Sequence, residues 1–100
     1  MTRNIKLNYL YRDAANYKLF GSVVFSNPDN ISITDIENKV RKHLIDGEYF
    51  EPRKWIIPVL AFPEYDTVLD HDWNEYLNTE LTGEMATDKR TISEFLYQII

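Results

Sequence analysis

YLYRDAANYKLFG, Tyr9 to Gly21, packs aromatic rings, an arginine, an aspartate, an asparagine and a lysine into thirteen residues, and reads either as a reactive loop or as a turn between two strands. Its flanks decide. Upstream, Ile5, Leu7, Tyr9 and Tyr11 alternate with Lys6, Asn8 and Leu10, the period of a strand with one buried face. Downstream, Tyr17, Leu19, Gly21, Val23 and Phe25 alternate with Lys18, Phe20, Ser22 and Val24. The residues DAAN between them suit a hairpin loop, because Asp and Asn bond their own backbone and tolerate left-handed conformations. The stretch is therefore read as a β-hairpin. Apolar residues on both faces of its second strand predict that this strand lies inside the sheet.

Working outward, Ser32 and Asp35 make a capping-box-like start to a helix over Ile33 to Ile45. Acids Asp35 and Glu37 come early and Lys39, Arg41 and Lys42 late, in the sense the helix dipole favours. Ile33, Ile36, Val40 and Leu44 recur at helical spacing, and Asp46-Gly47 supplies the stop. The middle of the chain is apolar but broken by Pro52, Pro58 and Pro63, so at most a short edge strand is expected near Val59 to Phe62. A further strand over Trp73 to Leu81 would put Trp73, Leu77, Thr79 and Leu81 on one face and Asn74, Tyr76, Asn78 and Glu80 on the other. Thr91 with Glu94 opens a last helix whose Ile92, Phe95, Leu96 and Ile99 form a buried stripe running to the end of the sequence. The order β-β-α-β-β-α implies one α+β domain over residues 1–100: a three- or four-stranded, mostly antiparallel sheet with two helices on one face.

One core is expected from 100 residues of which 44% are hydrophobic and 14% aromatic, with only three glycines and four prolines. The absence of cysteine excludes disulfides, thiol nucleophiles and zinc fingers. Charges and amides in MTRNIKLNYLYRD replace the apolar run of a signal peptide, and no stretch approaches the ~18 apolar residues of a membrane span, which points to a soluble, cytoplasmic protein. The net charge of −5 is unevenly spread: residues 1–54 hold nine Lys/Arg against seven Asp/Glu, residues 55–100 two against nine. From Glu64 to Glu84 there are seven acids and no base, a surface that repels phosphate backbones and attracts basic patches.

The densest chemistry lies in EYDTVLDHDWNEY, with Glu64, Asp66, Asp70, His71, Asp72 and Glu75. Hard oxygen donors plus one imidazole would suit a divalent metal and a hydrolase or nuclease-like reaction through Asp66, Asp70, His71, Asp72 and Glu75. A calcium loop of standard form is excluded, because Glu75 stands where its turn needs glycine and Leu81 where it needs glutamate. The blander reading is a solvated acidic loop, and between the two stands a partner-binding patch of Glu64, Asp66, Asp70, Asp72, Trp73, Glu75 and Tyr76. Tyr9, Tyr11, Tyr17 and Phe20 among Arg3, Lys6, Arg12 and Lys18 resemble a base-stacking surface in composition, but packing explains the rings more simply. Arg12 is expected to pair with Asp13, His43 to be a half-buried structural residue, and Trp55, Ile56, Ile57 and Phe62 to join the core. Nucleophile elbows, phosphate-binding glycine loops and dinucleotide fingerprints are absent, since Gly21, Gly47 and Gly83 stand alone.

Together YLYRDAANYK, VVFSNP, HLIDGEYF and LDHDW resemble a group of small bacterial proteins with a tyrosine-rich strand, an Arg-Asp-x-x-Asn-Tyr-Lys turn and an Asp-His-x-Trp segment. The resemblance implies a bacterial, free-standing domain and carries over no activity and no site residues. The reading favoured by charge and composition is a non-enzymatic interaction protein without cofactor, immunity- or antitoxin-like toward a basic protein partner, with nucleic acid and membrane disfavoured. Metal-dependent hydrolysis is the alternative.

Overall fold

The hairpin forms where its flanks demand it. In the computed structural model, which describes residues 3–60 and 73–100, β1 (Asn4–Arg12) and β2 (Lys18–Phe25) pair antiparallel from Ile5↔Phe25 to Arg12↔Lys18. Asp13 makes the turn: its Oδ1 accepts the N–H of Ala15 at 3.0 Å and of Tyr17 at 2.9 Å, while Asn16 takes the left-handed φ of 67°. This use of the Asp13 carboxylate corrects the expected pairing with Arg12, whose guanidinium instead bonds Glu75 at 2.8 Å and the Asn16 side-chain oxygen.

The remaining elements are α1 (Ile33–Arg41), β3 (Tyr49–Phe50), α2 (Pro52–Trp55), β4 (Asn74–Thr82) and α3 (Ile92–Gln98). They complete an α+β fold with a four-stranded antiparallel sheet in the order β2-β1-β4-β3. Both long helices begin as read: Ser32 Oγ accepts the Asp35 N–H at 3.2 Å, and Thr91 with Glu94 forms a reciprocal capping box. α1 stops four residues short of the expected Ile45, because Ile45 exchanges backbone bonds with Tyr49 across a turn held by left-handed Asp46 and Gly47. His43, past the helix end, is exposed rather than half-buried.

Three strand expectations are corrected. The short third strand is Tyr49–Phe50, not Val59 to Phe62; Val59 and Leu60 are not in a strand, and the rest of that stretch lies outside the described residues. β2 is an edge strand and β1 is central. Val24 is nevertheless only 3% exposed, and at this edge its backbone bonds Thr87 and Asp88, a loop in the place of a neighbouring strand. In β4 the register against β1 shifts between Asn8↔Asn78 and Tyr9↔Tyr76, leaving Leu77 as the extra residue of a bulge. The bulge resets the alternation, so Tyr76 and Thr79, three apart, both turn inward and their hydroxyls hydrogen-bond, while Leu77 is exposed.

The core lies between the sheet and the helices. Five rings cross it in contact: Tyr9 edge-on to Phe50 (5.6 Å), Phe50 stacked on Trp55 (4.3 Å), Trp55 edge-on to Phe95 (5.7 Å), and Phe95 stacked on Phe25 (4.5 Å). Burial pushes the Tyr9 phenol up to about 12, and its hydroxyl donates to the Pro58 carbonyl at 2.7 Å. Of the expected core residues in the proline-broken segment, Trp55 and Ile57 are buried, whereas Ile56 is 64% exposed and holds a left-handed φ of 54°. A β-branched side chain rarely adopts that conformation. It is held by Arg90, which donates to the Trp55 carbonyl at 2.9 Å and the Ile56 carbonyl at 2.8 Å.

Two buried asparagines contrast. Asn27 closes its loop by bonding both the N–H and the carbonyl of Ile31 at 3.0 Å. Asn74, fully buried opposite Phe50, finds no hydrogen-bond partner among the described residues for either end of its amide. Leaving such a group unsatisfied costs ~1–3 kcal/mol, so Asn74→Leu, which keeps the branched shape without the polar atoms, is expected to raise the unfolding free energy by up to that amount, less the cost of fitting the larger methyl groups. Urea titration of the two proteins checks this, and a less stable variant would show that the amide is satisfied in solution.

Candidate functional site

Of the sequence-nominated acidic segment, Glu64, Asp66, Asp70, His71 and Asp72 lie outside the described residues. Its C-terminal shoulder is described, and strand parity builds it. Trp73 and Glu75 share one side of β4, and Tyr49, paired with Glu75, faces the same way on β3. Trp73 is 38% exposed; its ring lies against Tyr49 with centroids 5.8 Å apart, and its indole N–H points to Glu51 Oε1 at 3.4 Å. The result is an aromatic pair of exposed Trp73 and half-buried Tyr49 beside the start of α2.

Acids surround that pair. Glu48, first among the causes, together with burial and Glu75, raises the Tyr49 phenol above its ordinary range, because a phenolate there would meet a negative field. Arg12 lies in the same corner, bonded to both carboxylate oxygens of Glu75 at 2.8 and 3.4 Å. Glu75 is thereby a positioned, ion-paired residue with its side chain only 18% exposed. Tyr76, also nominated for the partner-binding patch, is 7% exposed and faces the core, with the Arg41 guanidinium over its ring at 5.1 Å.

The metal reading keeps one described candidate, Glu75, and Arg12 already holds both its oxygens. Among the described residues no group of three or more His, Asp or Glu could hold a metal ion. The aromatic-basic surface does not assemble either. Tyr9 and Tyr11 are core residues, Lys6 pairs with Glu84 at 2.8 Å and Arg12 with Glu75, which leaves Arg3, Tyr17, Lys18 and Phe20 exposed. The outer face of β1 and β4 is instead a polar ladder, with Asn8 donating to Asn78 at 2.8 Å and to Glu80 at 3.1 Å.

The aromatic pair was only half legible. Trp73 was singled out from sequence, but Tyr49 was not, because a two-residue strand has no periodicity to reveal it. The signal available was Tyr49-Phe50 directly after the Asp46-Gly47 turn, one ring for each face. A separate cleft of about 350 Å³ between the ends of the three helices is lined by His43, Glu51, Lys54 and Trp55, among others. Glu51 and Lys54 pair across its rim at 3.1 Å, so neither charge is free for a ligand. Among the described residues no helix is long and apolar enough to cross a membrane. Set beside protein-family models, curated proteins and solved structures, the chain matches none of them.

Proposed function

We propose that the protein is a non-enzymatic interaction domain that binds a basic protein surface through the corner formed by Trp73 and Tyr49. The observation that carries this reading is exposed Trp73 lying against half-buried Tyr49 beside Glu48, with Glu51 and Glu75 held close by in their own ion pairs. Aromatic anchors inside a charged rim are the usual make-up of a binding hot spot: the rings supply affinity, and the acids steer a cationic partner. The acidic residues on the N-terminal side of Trp73, namely Glu64, Asp66, Asp70 and Asp72, extend the same charge along the sequence. Immunity- and antitoxin-like proteins of similar size and charge work in this way, which makes a basic toxin-like protein the class of partner to seek.

A Lys/Arg-rich peptide serves as the first probe. In NMR titration at low salt, the Trp73 indole N–H resonance is expected to move while that of buried Trp55 stays, and the shift is expected to collapse as salt approaches ~0.5 M. An unmoved Trp73 signal, or one that responds equally to a polyanion, would sink the proposal.

A further inference from the structure

Parts of the sheet's hydrogen-bonding edges are closed, and next to one closed part a stretch of β2 is left open among the described residues. At β3, Ile45 and Tyr49 exchange two backbone bonds of 2.7 and 2.9 Å, turning the chain back on that edge. At β2, the Val24 carbonyl accepts the N–H groups of Thr87 and Asp88 at 2.9 and 3.1 Å, and its N–H donates to Thr87 Oγ1 at 2.9 Å. The Ser26 carbonyl accepts from Ile92 at 2.8 Å. These bonds fix the parity of the strand. Val24 and Ser26 turn their backbone groups away from β1, and because the β1–β2 register has no shift, Lys18, Phe20 and Ser22 do the same. Among the described residues no bond reaches those outward N–H and C=O groups.

An open edge is normally blunted by charge, proline or a bulge. Here its centre is Phe20, 64% exposed, with Tyr17 beyond it at 69%. The open window, Lys18 to Ser22, is symmetric about Phe20. We infer that it pairs antiparallel with the same stretch of a second copy, about a two-fold axis through Phe20, joining two four-stranded sheets into one. Such a contact is self-complementary. Phe20 meets Phe20, and Lys18 meets Ser22, so the only charge in the window never faces its like. Val24 falls opposite Asn16, which leaves the Thr87–Asp88 closure beyond the paired segment. A foreign strand could use the same donors, but nothing in the window would set its register.

A five-residue strand contact is far smaller than the ~1,600 Å² of a stable interface, so the dimer is weak and dissociates on dilution. Two chains of net charge −5 repel, so salt should strengthen the association, whereas it weakens the binding proposed for the Trp73 corner. Failure of one therefore cannot be mistaken for failure of the other.

Sedimentation velocity of the whole chain from about 10 μM to about 1 mM is the test, with amide exchange measured at both ends of the range. The expected result is a mass rising toward twice the monomer's, and Phe20 and Ser22 amides that become protected only when concentrated. The Val24 amide, held by Thr87, should be protected throughout. Phe20→Lys should stay monomeric at an unchanged thermal midpoint. Ser22→Pro should do the same, since it removes an outward donor that β1 does not use. A wild-type protein monomeric throughout would overturn the inference, as would a dimer that survives both substitutions or leaves the Phe20 and Ser22 amides unprotected.

Discussion

Arg90→Ala is expected to lower the unfolding free energy by about 3 kcal/mol and the melting midpoint by roughly 12–24 °C. All five guanidinium N–H groups are used: on Asp88 through Nε and one terminal nitrogen, on the Gln98 side chain, and on the Trp55 and Ile56 carbonyls. The same guanidinium lies over the rings of Phe25 and Phe95 at 5.6 and 5.3 Å. The side chains of Arg90 and Asp88 are only 17% and 15% exposed, so truncation leaves a carboxylate and two helix-end carbonyls without their donor. Arg90→Lys should recover little, because a single ammonium cannot span acceptors on two segments.

The same pair sets a pH signature. The Arg90 hydrogen bond, first among the causes, holds Asp88 below its ordinary range, so the stability it contributes is complete above the unfolded value of about 3.9 and is lost as pH falls through the folded value. The stability difference between wild type and Arg90→Ala should therefore narrow at acidic pH. Denaturant titrations at neutral pH and near pH 3 check both points, and a neutral-pH loss below about 1 kcal/mol would show that Arg90 is not the clamp described here.

Trp55→Ala is expected to be the more damaging change, at about 3–5 kcal/mol. Trp55 is 5% exposed and is the link between Phe50 and Phe95, so its removal splits the five-ring chain and opens a cavity between α2, α3 and β3. A domain of this size has only ~5–15 kcal/mol in total, so the variant should be partly unfolded at 37 °C. Trp55→Phe should keep the stacking on Phe50 and most of the stability. Near-ultraviolet circular dichroism with thermal melts reads both variants, and a well-folded Ala variant would mean that the core collapses around the gap.

What was legible followed local rules. The DAAN turn, the two caps and the buried stripes of α1 and α3 are set by short-range hydrogen bonding and periodicity, and the structure has them where the residues asked for them. What misled was context. The outward backbone of Val24 is bonded by a loop more than sixty positions away, as its bond to Thr87 shows, so an edge strand carries apolar residues on both faces as a central one does. The bulge at Leu77 exchanged the faces of β4, and no pattern of alternation can announce a register shift that only the partner strand imposes. The candidate site suffered for both reasons: Tyr76 moved inside by the bulge, and Tyr49 entered from a strand too short to read. The ion pair of Glu75 is hidden from the sequence because its partner Arg12 is distant in sequence and adjacent only across the sheet.

The central place of β1 carries a consequence for how the protein comes into being. Its first partner, β2, follows within a few residues, but its second, β4, is far along the chain, as the Asn8–Asn78 bond spanning 70 positions shows. On a ribosome adding ~5–20 residues per second, β1 must wait on the order of 4–14 s with one apolar, hydrogen-bonding edge uncovered. Synthesis thus offers β1 its β2 partner well before β4, and until β4 emerges any hairpin that forms has only its own two strands, which are marginal alone.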